Sequence, residues 1–199
     1  MEAIILNPQS KDLITEYRQT NHLAHYEAVI LAEILSAIEV NDLTKLQWFN
    51  GFGDSIRVIL MNLYAFRKSS EFGFTGISFD KCGWFTRPEF LDRENLLFGN
   101  PWHHGEHSTV YLGRGINHTW TYAVDYSYGT AGGGYHLSVY GKQFKNRESA
   151  FAAGLAELKE LMSSKVGNTD TTNYKQPIIN LTLKDIAKAE SSLFQLTLF

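Results

Sequence analysis

The hydrophobic period of this chain changes once, near Glu71, and that change limits its fold more than any other feature. Before it, apolar residues recur three and four apart, the spacing of a helix with one buried side. Leu23, Tyr26, Ile30, Leu31, Ile34, Leu35 and Ile38 draw one such stripe, with Glu27, Glu33 and Glu39 off it. Ser10 is placed to cap a preceding helix over 11–20. Asp54 is placed to cap a later one carrying Ile56, Ile59, Leu60 and Leu63 as far as Phe66.

After Glu71 the chain is broken by Gly73, Gly76, Gly83, Gly99 and Pro101 and is rich in aromatics. Two short strands are expected, near 72–79 and 83–86, then an irregular stretch through Glu106. Stronger strands come next, at 108–112, 118–128 and 135–141. In the second of these, Trp120, Tyr122, Val124, Tyr126 and Tyr128 alternate with Thr119, Thr121, Ala123, Asp125 and Ser127. That is the period of a sheet with one packed face. Thr130 to Gly134 reads as a hairpin connection, and Phe151, Leu155, Leu158 and Leu161 line a helix over 147–162.

The expected fold is therefore α+β, an N-terminal helical layer of about three helices followed by a mostly antiparallel sheet closed by a helix. One domain is expected over 1–163, helical over 1–70 and made of sheet and helix over 71–163. Residues 164–181 are small and polar without a core-forming period, which reads as a linker. Thr182 is then placed to cap a short helix over 183–193, ahead of a terminal tail.

A composition of 44% hydrophobic and 14% aromatic residues is that of a globular chain and excludes a disordered one. Cys82 is the single cysteine, so no intrachain disulfide is available and a reducing, cytoplasmic setting is expected. No apolar run is long enough to span a bilayer, and the first residues lack the basic and apolar regions of a signal peptide. A membrane partner is not expected. The net charge of −3 arises between Lys11 and Arg57, where seven acids meet four bases, so nucleic acid would have to be held by a local basic patch.

The last five residues, Gln195-Leu196-Thr197-Leu198-Phe199, carry the most specific pattern in the chain. They resemble the peptide by which bacterial replication and repair proteins dock on the DNA sliding clamp: Gln-Leu, a small polar residue, then Leu-Phe. Gln195, Leu196, Leu198 and Phe199 match the defining positions. Thr197 occupies the tolerant one, where serine or aspartate is commoner. The resemblance implies that the Gln195 amide bonds polar groups at one end of a cleft while the leucines and Phe199 fill apolar pockets. The bacterial sliding clamp is the expected partner, and the expected function is that of a non-enzymatic accessory protein of replication, repair or a mobile element, in a bacterium or phage. The opposing reading is that Leu193, Phe194, Leu196, Leu198 and Phe199 pack on their own domain.

Two other constellations bear on function. His103, His104, Glu106 and His107 put three imidazoles and a carboxylate in five residues, with His118 and His136 on nearby strands. Those are ligands for zinc or another transition metal, manganese included, and would suit a metal-dependent nuclease. Pro101 and Gly105 argue for a loop there. The second is Lys142, Lys145 and Arg147 at the junction of strand and helix, a setting similar to the second half of a double-stranded-RNA-binding domain over about 45 residues. It would make a nucleic-acid-binding module, although Glu148 and Ser149 fall where that domain carries further bases. The glycines from Gly129 to Gly134 join strand to strand and lack the Lys-Ser/Thr and following helix of a phosphate loop. No nucleophile motif of the Gly-x-Ser-x-Gly kind is present.

Overall fold

The computed structural model describes residues 6–103 and 105–196. The chain is α+β, as its two hydrophobic periods require, and it divides into two compact units, Met1–Pro88 and Glu89–Phe199. The single domain expected over 1–163 is thus replaced by a division at Pro88. The reason lies in residues 71–88, which close back on the preceding helices instead of joining the sheet.

In the first unit Asn7 caps a short 3₁₀ turn, Pro8–Ser10, that leads into α1, Lys11–Thr20. Ser10 makes no capping bond to α1; its hydroxyl accepts from the Asn7 backbone N–H instead. Helix α2, His25–Glu39, buries Ile30, Leu31, Ile34 and Ile38 of the stripe read from the sequence, together with Ala37, while Leu23, Tyr26 and Leu35 of that stripe are partly buried against the same core. Next comes a short helix that periodicity does not reveal: α3, Leu43–Asn50, whose cap Asp42 accepts from the Lys45 N–H at 2.9 Å. It has only Leu46 and Phe49 fully buried, too few positions to draw a stripe. Helix α4, Ile56–Ser70, is capped by Ser55, not Asp54, and runs a turn beyond Phe66.

The two strands expected at 72–79 and 83–86 are not formed; one antiparallel bridge, Phe79 to Phe85, stands in their place. Backbone groups here are held by side chains. Asn62 on α4 donates to the carbonyls of Phe52 (2.7 Å) and Gly83 (2.8 Å) and accepts from the Phe85 N–H (2.9 Å). Asp80 accepts from the N–H groups of Cys82 and Trp84. A buried backbone group needs some partner, and a side chain serves as well as a ladder.

The second unit is built on a four-stranded antiparallel sheet in the order β1-β2-β3-β4: β1 Leu91–Gly99, β2 His107–Arg114, β3 Trp120–Ser127 and β4 Gly132–Gly134. Strand β1 lies in the stretch expected to be irregular. A register shift between Leu91 and Glu94, and Asp92 at φ 47°, hide its alternation. Residues 135–141, expected as a strand, are not one, and the glycines expected as a connection are themselves β4. They lie flat on β3: a Cβ on Gly132 would come within 2.5 Å of the Tyr126 carbonyl oxygen, and one on Gly134 within 2.7 Å of the Asp125 Cα.

Helices α5, Arg147–Ser163, and α6, Gln176–Leu196, pack on this sheet. The core joins Phe98, Val110, Leu112, Tyr122 and Val124 of the strands to Leu155, Leu158 and Met162 of α5 and Ile179 and Ile186 of α6. Asn146 caps α5 by accepting from Ser149, so that helix starts where the sequence puts it.

The expected linker at 164–181 is tied down instead. Lys175 donates its N–H to the Tyr128 carbonyl at 2.8 Å, and Ala131 to the Asn173 carbonyl at 3.2 Å. Gln176 accepts from the Gly167 N–H and donates to the Lys165 carbonyl. Helix α6 begins there, with Pro177 in its first turn, where a missing N–H costs nothing. Thr182, expected as a cap, is fully buried inside that helix. Among the described residues no helix is long and apolar enough to cross a membrane.

Candidate functional site

Helix α6 brings the chain to the terminal pattern. Ile179, Thr182 and Ile186 are fully buried, and Leu183, Ala189 and Leu193 pack against the same core at three- and four-residue spacing. Lys159 of α5 pairs with Glu190 at 2.8 Å, so the helix is held there by a charge as well as by apolar contact. Gln195 is exposed on the final turn. The side chains of Phe194 and Leu196, and the whole of Thr197, Leu198 and Phe199, lie outside the described residues. Packing on the chain's own unit is therefore found for Leu193, which precedes the pattern. Of the four pattern residues the structure places the side chain of Gln195, in solvent.

The histidine loop between β1 and β2 is organised by its own hydrogen bonds. The Asn100 N–H donates to the Glu106 carbonyl at 2.9 Å, and its side-chain amide donates to the Glu106 carboxylate at 3.1 Å. His107 Nδ1 lies 3.4 Å from the His103 carbonyl. His103 is exposed, and His104 lies outside the described residues. His118 sits in the β2–β3 turn with Nδ1 3.0 Å from the Arg114 guanidinium, and His136 is exposed after β4. Among the described residues no three His, Cys, Asp or Glu side chains converge as a metal-holding group.

The basic junction is reduced by one charge. Arg147 makes a two-pronged pair with Glu94 of β1, at 2.6 and 2.5 Å, and lies over the Phe151 ring. The Arg147 hydrogen bonds hold the Glu94 carboxyl below the usual range, and burial opposes them only in part. Arg147 therefore fastens α5 to β1. Lys142 and Lys145 stay exposed in the loop ahead of α5, and two lysines are a small footprint for a phosphate backbone.

A cluster that the sequence does not reveal lies where β3 meets α5. Glu157 accepts from the Tyr122 hydroxyl at 2.7 Å and from the Tyr135 hydroxyl at 3.0 Å. Burial, then the bonded carboxylate, pushes Tyr122 up to about 12 and Tyr135 up as well. Two phenols held protonated against one carboxylate make a brace between sheet and helix. The signal is present as Tyr122 on the packed alternation of β3, but its partner lies 35 residues further on. In the first unit a cleft of about 340 Å³ is lined by Phe52, Asp54, Val58, Phe79 and Cys82, among others.

No family model matches this chain, and no curated protein and no solved structure matches it either.

Proposed function

We propose that the chain is a non-enzymatic accessory protein of bacterial or phage DNA replication, repair or a mobile element, which docks on the DNA sliding clamp through Gln195, Leu196, Leu198 and Phe199. The observation that carries this reading is the pattern itself, Gln-Leu-Thr-Leu-Phe, with its glutamine in solvent directly beyond the anchored turns of α6. The glutamine amide has donors and an acceptor to offer a polar cleft end, and the three large apolar side chains fit adjoining pockets.

The energetics suit a reversible attachment. Burial of Leu196, Leu198 and Phe199 yields about 1.5–3 kcal/mol each. Ordering five backbone residues costs about 1–2 kcal/mol apiece. The small remainder limits the isolated peptide to micromolar affinity at best.

A fluorescent peptide of residues 190–199, titrated with purified bacterial clamp, is expected to bind in that range. Gln195→Ala loses the polar contact and Phe199→Ala the largest apolar one, and each is expected to abolish measurable binding. A wild-type peptide that stays free at high micromolar clamp removes the reading.

A further inference from the structure

The cleft of the first unit lies between two stretches of chain that one side chain ties together. One wall is the end of α3 and the turn after it, residues 50–54, and the other is the turn at 79–83. Asn62, 2% exposed on α4, donates to the Phe52 carbonyl of the first wall at 2.7 Å and to the Gly83 carbonyl of the second at 2.8 Å. Each wall is also fixed from within. Asn50 exchanges two hydrogen bonds with the Leu6 backbone, and its carbonyl accepts from the Gly53 N–H. Asp80 accepts from the N–H groups of Cys82 and Trp84 at 2.8 and 3.0 Å. The walls are thus set before any ligand arrives, which spares the cost of ordering them on binding.

We propose that this cleft binds a small organic cation, an ammonium group carried on an apolar body, as a function separate from clamp docking. Phe52 is 1% exposed and Phe79 38%, so aromatic surface runs from the depth of the cleft to its rim. Their rings stand nearly perpendicular, at 86° with centroids 6.4 Å apart, and Val58 lines the same space. Asp54 supplies the charge. It is exposed, and no base lines the cleft with it. Among the described residues no hydrogen bond or ion pair engages its carboxylate, because α4 is capped by Ser55 instead. A carboxylate without a partner, set beside apolar surface, repels an anion and gains nothing from a neutral molecule, whereas an ammonium donates to it with full charge assistance. At about 340 Å³ the cleft stands at the small end of the roughly 300–1,000 Å³ that ligand pockets occupy, which suits a body of one ring.

The probe is phenethylamine, with phenylethanol and phenylpropionate as its neutral and anionic counterparts, each titrated into the full chain and followed by NMR. Cys82 lines the cleft and is exposed, so its alkylation by iodoacetamide reports where a probe sits. Phenethylamine is expected to bind about threefold or more tightly than the alcohol, within the range of an exposed ion pair. Phenylpropionate is expected to bind least, and saturating amine to change the Cys82 alkylation rate at least twofold. Asp54→Asn, which leaves the Ser55 cap in place, is expected to make amine and alcohol equal. Asp54→Lys is expected to reverse the order, with phenylpropionate binding best. Three probes that bind equally, or an amine preference that survives Asp54→Asn, overturn the proposal. An amine that does not bind at millimolar concentration, or that binds and leaves Cys82 alkylation unchanged, overturns it as well. The clamp titration stands or falls separately, since its peptide contains none of these residues.

Discussion

Asn62 shows how much of a fold one side chain can hold. It is 2% exposed on the buried side of α4, and its amide satisfies two carbonyls and one N–H of segments that make almost no ladder of their own. Asn62→Leu keeps the volume and removes all three bonds. Each backbone group left buried without a partner costs about 1–3 kcal/mol, so a loss of several kcal/mol is expected, read as a lower denaturant midpoint. A midpoint within error of wild type would mean that water replaces the amide. The sequence shows Asn62 only as a polar residue within a helix; its partners, 10 to 23 residues away, have no periodicity to announce them. Tyr122 is a second case. Its proton is held more tightly in the folded state, so its contribution to stability is complete below pH 10 and is lost as the pH rises to about 12. Tyrosinate absorbance should therefore show a late-titrating phenol. Glu157→Gln should lower that midpoint only some of the way, because burial is the larger cause. A return to 10.0, the ordinary tyrosine value, would assign the whole effect to the carboxylate.

Elements are legible where many residues agree on one period. Helix α2 and strand β3 each have five or more positions in phase, and both appear where the pattern puts them. Helix α3 and strand β1 are hidden for opposite reasons, one too short to repeat and the other interrupted by its bulge. The segment 164–175 looks like a linker because its residues are small and polar. Those same residues spend their polarity on bonds such as Asp170 to Asn173, which fix the turn that launches α6. Strand β4 is the most demanding element, since three glycines suggest a loop through the very property that lets them pair so closely. Gly134→Ala places a Cβ 2.7 Å from the Asp125 Cα and 2.8 Å from the Val124 carbonyl oxygen, and backbone cannot move aside as a side-chain tip can. A loss of about 1–3 kcal/mol is expected, on the scale of other overpacked contacts. It should appear as a lower thermal midpoint, with hydrogen-exchange protection of Asp125 and Tyr135 reduced before that of β1. Unchanged protection at Tyr135, whose N–H donates to the Val124 carbonyl at 3.0 Å, would show that the β3–β4 pairing tolerates a methyl group.

At the scale of the whole chain, the division at Pro88 makes a prediction that the expected single domain would not. The sequence changes texture near Glu71 but marks no boundary at Pro88. Residues 71–88 share their glycines and aromatics with the sheet region after them, while their contacts belong to the helices before them. Each unit has its own core: Ile34, Phe49 and Leu63 among others in the first, Val110, Leu155 and Ile186 among others in the second. Each also has its own two-pronged ion pair, Glu33 with Arg67 and Glu94 with Arg147. A fragment of residues 89–199 keeps the complete sheet, both helices that cover it, the tyrosine–glutamate brace and the terminal pattern. It is expected to unfold cooperatively by itself, with circular dichroism of a mixed helix and sheet protein. It should also lose stability on acidification. The Glu94 carboxyl lies below its ordinary value because Arg147 bonds its charged form, so the stability it adds is present above the usual glutamate range, near pH 4.3, and disappears as the pH falls through the lowered value. At about one-third exposure the pair is worth little in absolute terms, so Glu94→Gln should flatten that acid limb slightly rather than unfold the fragment. A fragment that stays unstructured at neutral pH would show that the second unit depends on residues before Glu89, and would make Pro88 a bend within one cooperative domain.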